Sequence, residues 1–429
     1  MMPRHLSRCA DRSVVPCLLA LALAACGASA DPKGGAAGGE PSAFTRSLPG
    51  EPNSIAVGPD GAIVVSGVYS KWDAPHADVP GDEGIFLASF AADGTPGFVR
   101  GFETSEDNLE TNVAVGPDGS IALAGFFGRT GIAFGPPLAA VGADLTSFAA
   151  LFERDGTLRW SRALGGNNNY FRGEVAFSPD GDVVLAGGFG EPLDFGTTTL
   201  QPNATGYDGY LVRLAPDGSE RDAIVVGASV DGVVPTADGA WLALRVASPN
   251  PIGLARATWG GSIEVRTGFG KDVQDDAWIS LVGGPAGTLQ LTGFVGDADV
   301  GWNLPNGYGG FFWAKLDDSA NVVATSDLPD ATWLAAGQQH ERTLAADARG
   351  HAFLLDSDQL GPRDGALLEL AADGTTISRR PITGEANDDL TAVAAAPGGG
   401  AIVGGWSTSG GTFDGAPVEP GGFVRRVAR

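Results

Sequence analysis

With 429 residues, 43% of them hydrophobic, the chain has material for about three ordinary domains at ~150 residues each, or for one large repetitive fold. Its 66 glycines and 28 prolines exclude an architecture of long helices. Twenty-seven basic residues against 51 acidic ones leave a net charge of −24, which excludes sequence-independent attraction to a nucleic-acid backbone or an anionic bilayer.

The N-terminus reads as an export signal. Arg4, Arg8 and Arg12 precede the apolar run Val14 to Ala25, which is too short to span a bilayer. The run ends in Leu23-Ala24-Ala25-Cys26, which resembles the lipobox of bacterial lipoproteins, so residues 1–25 are expected to be removed and Cys26 to carry lipid. The alternative is an ordinary signal peptide cut near Ala30. The other two cysteines, Cys9 and Cys17, fall inside the signal, so no disulfide framework is expected beyond it. Residues 26–42 hold no large apolar side chain and predict a flexible tether, with residues 43–429 forming the body.

The body repeats a unit: apolar, Ala, apolar, any residue, a Pro-Asp-Gly turn, then a second apolar run ending in Gly. It reads Ile55-Ala56-Val57-Gly58-Pro59-Asp60-Gly61 and onward to Gly67, then Val113 to Gly125, then Val175 to Gly187. Weaker copies centre on Asp238-Gly239, Ala286-Gly287, Arg349-Gly350 and Gly399-Gly400, at glycine intervals of 58, 62, 58, 48, 63 and 49. A second hairpin lies between copies, as at Ala92-Asp93-Gly94, Asp155-Gly156, Asp217-Gly218 and Asp373-Gly374. Asp-Gly between β-rich runs marks a tight hairpin, because Gly supplies the positive φ. Two hairpins make four strands, and seven copies at about 55 residues each predict an all-β, seven-bladed propeller. Runs apolar on both faces, such as Ile63-Val64-Val65, fit sheets sandwiched between neighbours. The body opens with a lone strand, Phe44 to Leu48, and ends on a third strand, Gly422 to Val427, so the opening strand is expected to complete the last blade.

Segments such as Ala133-Phe134-Gly135-Pro136-Pro137-Leu138, Leu193-Asp194-Phe195-Gly196-Thr197-Thr198-Thr199-Leu200 and Gly156-Thr157-Leu158-Arg159-Trp160-Ser161 resemble the seven-bladed propeller-repeat (SBBP-type) surface lipoproteins of bacteria, abundant in myxobacteria. The likeness runs over residues 44–429, is strongest in 100–220 and weakens in repeats four to six. It implies a cell-surface or outer-membrane location and transfers no catalytic residue.

Chemistry is sparse. Only His76, His340 and His351 follow the signal, without the spacing of a metal site or nucleophile dyad, and no nucleophile elbow or phosphate loop appears. No enzyme activity is therefore expected. Asp272, Asp275 and Asp276 precede the fifth inner strand, and Asp297 and Asp299 follow its second strand, so all five emerge at one end of the blade. They would suit a hard cation such as Ca²⁺, but solvated acidic loops are the favoured reading because no twelve-residue calcium-loop spacing is present. The connections Tyr69–Gly84, Glu103–Thr111, Phe127–Leu145, Gly165–Arg172 and Gly296–Gly309 all exceed hairpin needs and leave the same end. The residues expected to bind are Trp72, Asp272, Asp275, Asp297, Asp299 and Trp302, with Cys26 for lipidation. The sequence thus points to a monomeric, lipid-anchored, non-catalytic envelope propeller that binds a protein or glycan. A propeller hydrolase or lyase acting on polysaccharide, or a purely structural protein, are the competing readings.

Overall fold

The computed structural model describes residues 43–70, 79–104, 109–141, 145–167, 173–203, 208–245, 252–269, 278–295, 310–328, 343–357, 365–384 and 388–428. They form seven four-stranded antiparallel sheets, the blades of a propeller. From inner to outer strand, blade 1 is Glu51–Val57, Ile63–Ser70, Glu83–Phe90 and Pro96–Glu103. Blade 2 is Thr111–Val115, Ile121–Phe127, Leu145–Phe152 and Leu158–Asn167, and blade 3 is Gly173–Phe177, Val183–Phe189, Asp208–Leu214 and Glu220–Val225. The inner strands of blades 4 to 7 begin at Ser229, Trp278, Leu344 and Asp388. Each inner strand touches the next, and the seventh touches the first. The helix among the described residues is a single 3₁₀ turn, Pro285–Gly287.

Closure follows the sequence expectation. Phe44–Ser47 pairs antiparallel with Gly421–Val427, Phe44 opposite Arg426 and Ser47 opposite Phe423, as the outer strand of blade 7. An otherwise bare edge is thereby paired by the other end of the chain.

The core is seven apolar clusters, one between each pair of neighbouring blades. This explains the continuous apolar runs. Ile63 and Val65 pack toward blade 7 while Val64 packs toward blade 2; Val183 and Leu185 face blade 2 while Val184 faces blade 4. Alternate side chains bury on opposite faces, each contributing about 1.5–3 kcal/mol. The glycine closing the second apolar run has a steric cause. A Cβ at Gly67 would lie 2.1 Å from the Glu51 carbonyl and 2.6 Å from the Phe86 ring. Gly125 and Gly405 stand in the same relation to Glu110 and Phe148, and to Asp389 and Phe423.

Among the described residues, three blades carry an extra hairpin between second and third strands: Ile132–Ala133 with Pro137–Leu138, Leu193–Asp194 with Thr199–Leu200, and Gly411–Phe413 with Ala416–Val418. Each drives a buried phenylalanine, Phe134, Phe195 or Phe413, into the core. In blade 7 the hairpin pairs with the outer strand of blade 6, extending that sheet to six strands.

Candidate functional site

Antiparallel order sends two classes of connection to opposite ends of the ring. Inner-to-second and third-to-outer turns share one end, and the remaining connections share the other. At the first end the turns are short and alike. In blade 1 Gly58 N–H donates to Ala62 O, Gly61 N–H to Gly58 O, and Asp60 Oδ1 accepts from Ala62 N–H at 3.1 Å. Gly61, Gly119 and Gly181 sit at φ of 84–85°, where a side chain is disfavoured.

This end is committed to joining blades. The Phe44 ring lies where a Cβ on Gly94 would be, at 2.5 Å, and Phe98 against Gly156 (2.9 Å) and Trp160 against Gly218 (3.1 Å) repeat the contact at the next two junctions. Arg46 Nε donates to Gly94 O at 2.7 Å, Arg162 to Gly218 O at 3.1 Å, and Trp160 Nε1 to Pro216 O at 3.1 Å. Arg154 forms an ion pair with Asp60 of the preceding blade. The turn aspartates Asp155, Asp217 and Asp373 are held below the ordinary carboxylate value by hydrogen bonds from Thr157, Ser219 and Thr375. They act as turn formers.

At the opposite end, the described parts of three long connections converge on a cleft of about 620 Å³ between blades 1 and 2. Pro80, Asp82 and Glu83 supply one wall, Glu103 and Thr104 a second, and Thr130 to Ala133 with Pro137 and Leu138 a third. Two glycines let the walls close. A Cβ on Gly81, at φ 77°, would lie 2.4 Å from the Glu103 carboxyl carbon, and one on Gly101 would lie 2.6 Å from Pro80. Tyr69 holds the first wall from beneath, donating its hydroxyl to Pro80 O at 2.6 Å. Burial, reinforced by the Glu103 charge, pushes the Tyr69 phenol up to about 12. On the far side the Phe134 ring packs, tilted, 4.7 Å from Phe102 and 4.8 Å from Phe148, fixing the hairpin to the floor, and Gly128 N–H donates to Thr104 Oγ1. The result is an apolar floor of Phe102 and Ile132 under a rim carrying Asp82, Glu83 and Glu103.

Trp72, Asp272, Asp275, Asp276, Asp297, Asp299, Trp302 and the lipidation candidate Cys26 all lie outside the described residues, as do His76 and His340. Of the other aromatics near the same end, Phe126 and Phe127 are buried core residues. His351 Nδ1 lies 3.4 Å from Glu369. No group of three or more His, Cys, Asp or Glu is placed to hold a metal among the described residues. The cleft carboxylates and Tyr69 are not singled out by sequence reasoning. A further signal is legible in the sequence and passes unused there: the aromatic-any-Arg pattern of outer strands at Phe44-Thr45-Arg46, Phe98-Val99-Arg100 and Trp160-Ser161-Arg162, which marks the first strand as an outer one.

No known family profile matches the chain. It is 27% identical over 206 residues to the regulatory protein FlaEY of Caulobacter vibrioides, a match covering 46% of this chain and 21% of that protein, so the chain spans about a fifth of its relative's length. Among solved structures it is similar to the β-propeller domain of the Trilobed protease from Pyrococcus furiosus, at 9% identity and TM-score 0.46 over 86% of this chain and 97% of that one. It is also similar to a fungal alcohol oxidase of the AA5 family in complex with copper (10%, 0.47, 89% and 75%) and to the polysaccharide lyase Uly1 (10%, 0.45, 88% and 90%).

Proposed function

We propose that this chain is a lipid-anchored propeller of the cell envelope, of the surface-lipoprotein kind that its repeats resemble, and that it binds a protein or glycan partner at its long-connection end without turnover. The observation carrying this reading is the asymmetry of the ring. One end has short, uniform turns tied to the neighbouring blade at three successive junctions, whereas the other has connections longer than the scaffold needs, converging on a cleft with an apolar floor and acidic rim. Leu23 to Cys26 supports the anchor, since two or more acyl chains give stable membrane attachment.

The test uses the exported chain with Cys26→Ala, immobilised and exposed to envelope proteins and glycans. Retention of one component, lost in Asp82→Ala/Glu83→Ala/Glu103→Ala and kept in Asp155→Asn/Asp217→Asn, is the expected result. Retention lost only in the turn variants, or turnover of a polysaccharide, overturns it. Mass spectrometry of the wild-type N-terminus checks the anchor, and an unmodified terminus removes it.

A further inference from the structure

Blade 7 departs from the first three blades at one buried position. Two residues after the glycine that closes the second apolar run, blades 1, 2 and 3 carry a buried aromatic, Tyr69, Phe127 and Phe189, whereas blade 7 carries Ser407. Ser407 is fully buried and donates its hydroxyl to Asp388 Oδ1 at 2.6 Å, and Thr408 N–H donates to the same oxygen at 3.2 Å. Asp388 is itself 0% exposed, and its Oδ2 has no hydrogen-bond partner among the described residues. A polar pair at a repeat's aromatic position gives up packing, and a buried carboxylate with one bare oxygen is costly unless positive charge meets it.

Backbone carbonyls lie in the same neighbourhood as Oδ2. A Cβ on Gly384 would lie 1.9 Å from Oδ2 and 3.2 Å from Gly410 O, and one on Gly411 would lie 2.5 Å from Thr383 O and 2.9 Å from Oδ2. Asp388 Oδ2, Gly410 O and Thr383 O thus lie close to the positions that a side chain on Gly384 or Gly411 would take. A carboxylate oxygen brought near carbonyl oxygens is repelled by them, and a proton or a cation between them offsets that repulsion. A proton on Oδ2 serves one carbonyl; a cation serves both at once, and hard cations bind carboxylate and carbonyl oxygens at about 2.3–2.6 Å.

We infer that Asp388 Oδ2, with the carbonyls of Gly410 and Thr383, holds a hard cation of the calcium class at the junction of blades 6 and 7. Gly384 ends the outer strand of blade 6, and Gly411 begins the hairpin that extends that sheet. The ion thus ties the two blades together beside the blade that the N-terminal strand completes. The site needs only one carboxylate and draws on none of the acids at 272–299.

Chelator-treated full-length protein is titrated with CaCl₂ alone while the melting temperature is followed, and bound metal is counted by elemental analysis after gel filtration. The expected result is one Ca²⁺ per chain and a rise in Tm of about 2–4 °C at saturation. Asp388→Asn keeps the oxygen that Ser407 and Thr408 bond, replaces Oδ2 with an amide donor, and is expected to show neither effect. If Asp388→Asn does not fold, Gly411→Ala is used, whose methyl takes the ion's place, and it is expected to lose the bound metal. Absence of bound Ca²⁺ and of any shift in the wild type overturns the inference. So does an equal response in the variants, which puts the ion elsewhere, or an Asp388→Asn chain as stable as the metal-free wild type with no metal in either, which assigns Oδ2 a proton.

Discussion

Gly94, Gly156 and Gly218 each carry a ring from the preceding blade, so the tight-turn end is stitched from blade to blade by contacts of 2.5–3.1 Å to a notional Cβ. At the other end the same strands are joined by connections whose described parts bend away from the sheets and enclose space, as between Pro80, Glu103 and Thr130. The difference teaches that one repeat can set two constraints at once. The residues shared by the first repeats, Pro-Asp-Gly and the outer-strand aromatic of blades 7, 1 and 2, serve the ring, while the long connections differ from blade to blade in length and composition.

The largest expected effect comes from opening the ring. Deleting residues 44–48 removes four strand pairings, the Arg46 bond to Gly94 and the buried Phe44 and Leu48. Loss of the Phe44 side chain alone is worth about 3–5 kcal/mol. Urea unfolding of the deleted chain should show its midpoint lowered by more than that of Phe44→Ala, and an unchanged midpoint would mean that closure contributes nothing.

A pair of glycine substitutions sharpens the comparison inside the tight-turn end. Gly181→Ala adds a Cβ with nothing within 4 Å at φ 85°, so only the backbone cost of about 1–2 kcal/mol applies. Gly94→Ala has nearly the same φ but drives the Cβ into Phe44, and is expected to cost about 3 kcal/mol. Equal losses in denaturant titrations would remove the stitching role from these turns.

Much of this architecture is legible in the amino-acid sequence alone. The Pro-Asp-Gly turns, the two hairpins per repeat and the displaced outer strand at Phe44 all announce themselves locally, because turn chemistry and strand patterning are properties of neighbouring residues. The count of seven blades extends through repeats four to six, where the motif diverges. There the turns use other means: Ala286 takes φ 56° beside Gly287, and Gly239 starts a strand instead of turning. The cleft is not legible, because Glu103 meets Gly81 and Tyr69 meets Pro80 only once the sheet sets their register. Nor is Asp388, whose isolation depends on glycines 384 and 411 in two different strands.

A smaller effect separates the ends by hydrogen bonding. Tyr69→Phe removes the bond to Pro80 O and should cost about 1 kcal/mol. The Tyr69 pKa is raised on folding, so its contribution is full below about pH 10 and is lost as pH rises toward about 12. Phenolate absorbance should therefore show a step near pH 12 that vanishes in Tyr69→Phe. The smallest effect belongs to the exposed turn aspartates. Their folded pKa values are depressed, so their contribution is present above the ordinary carboxylate value and is lost as pH falls through the lowered one. Between pH 7 and pH 3 the wild type should lose slightly more stability than Asp155→Asn/Asp217→Asn/Asp373→Asn, and a larger loss in the variant would contradict the assignment.

The division of labour between the two ends is tested most directly by lengthening one connection at each and measuring the melting temperature. Six Gly/Ser residues inserted between Ala139 and Ala140, in a long connection, add little closure entropy and disturb only the small, partly buried Ala140 at the edge of the blade 1–blade 2 cluster, so Tm should stay within about 1–2 °C of wild type. The same insert between Asp155 and Gly156 breaks the Thr157 bond and the Phe98 contact, and should lower Tm by several degrees more. Equal losses at both sites, or a greater loss at Ala139, would contradict the account.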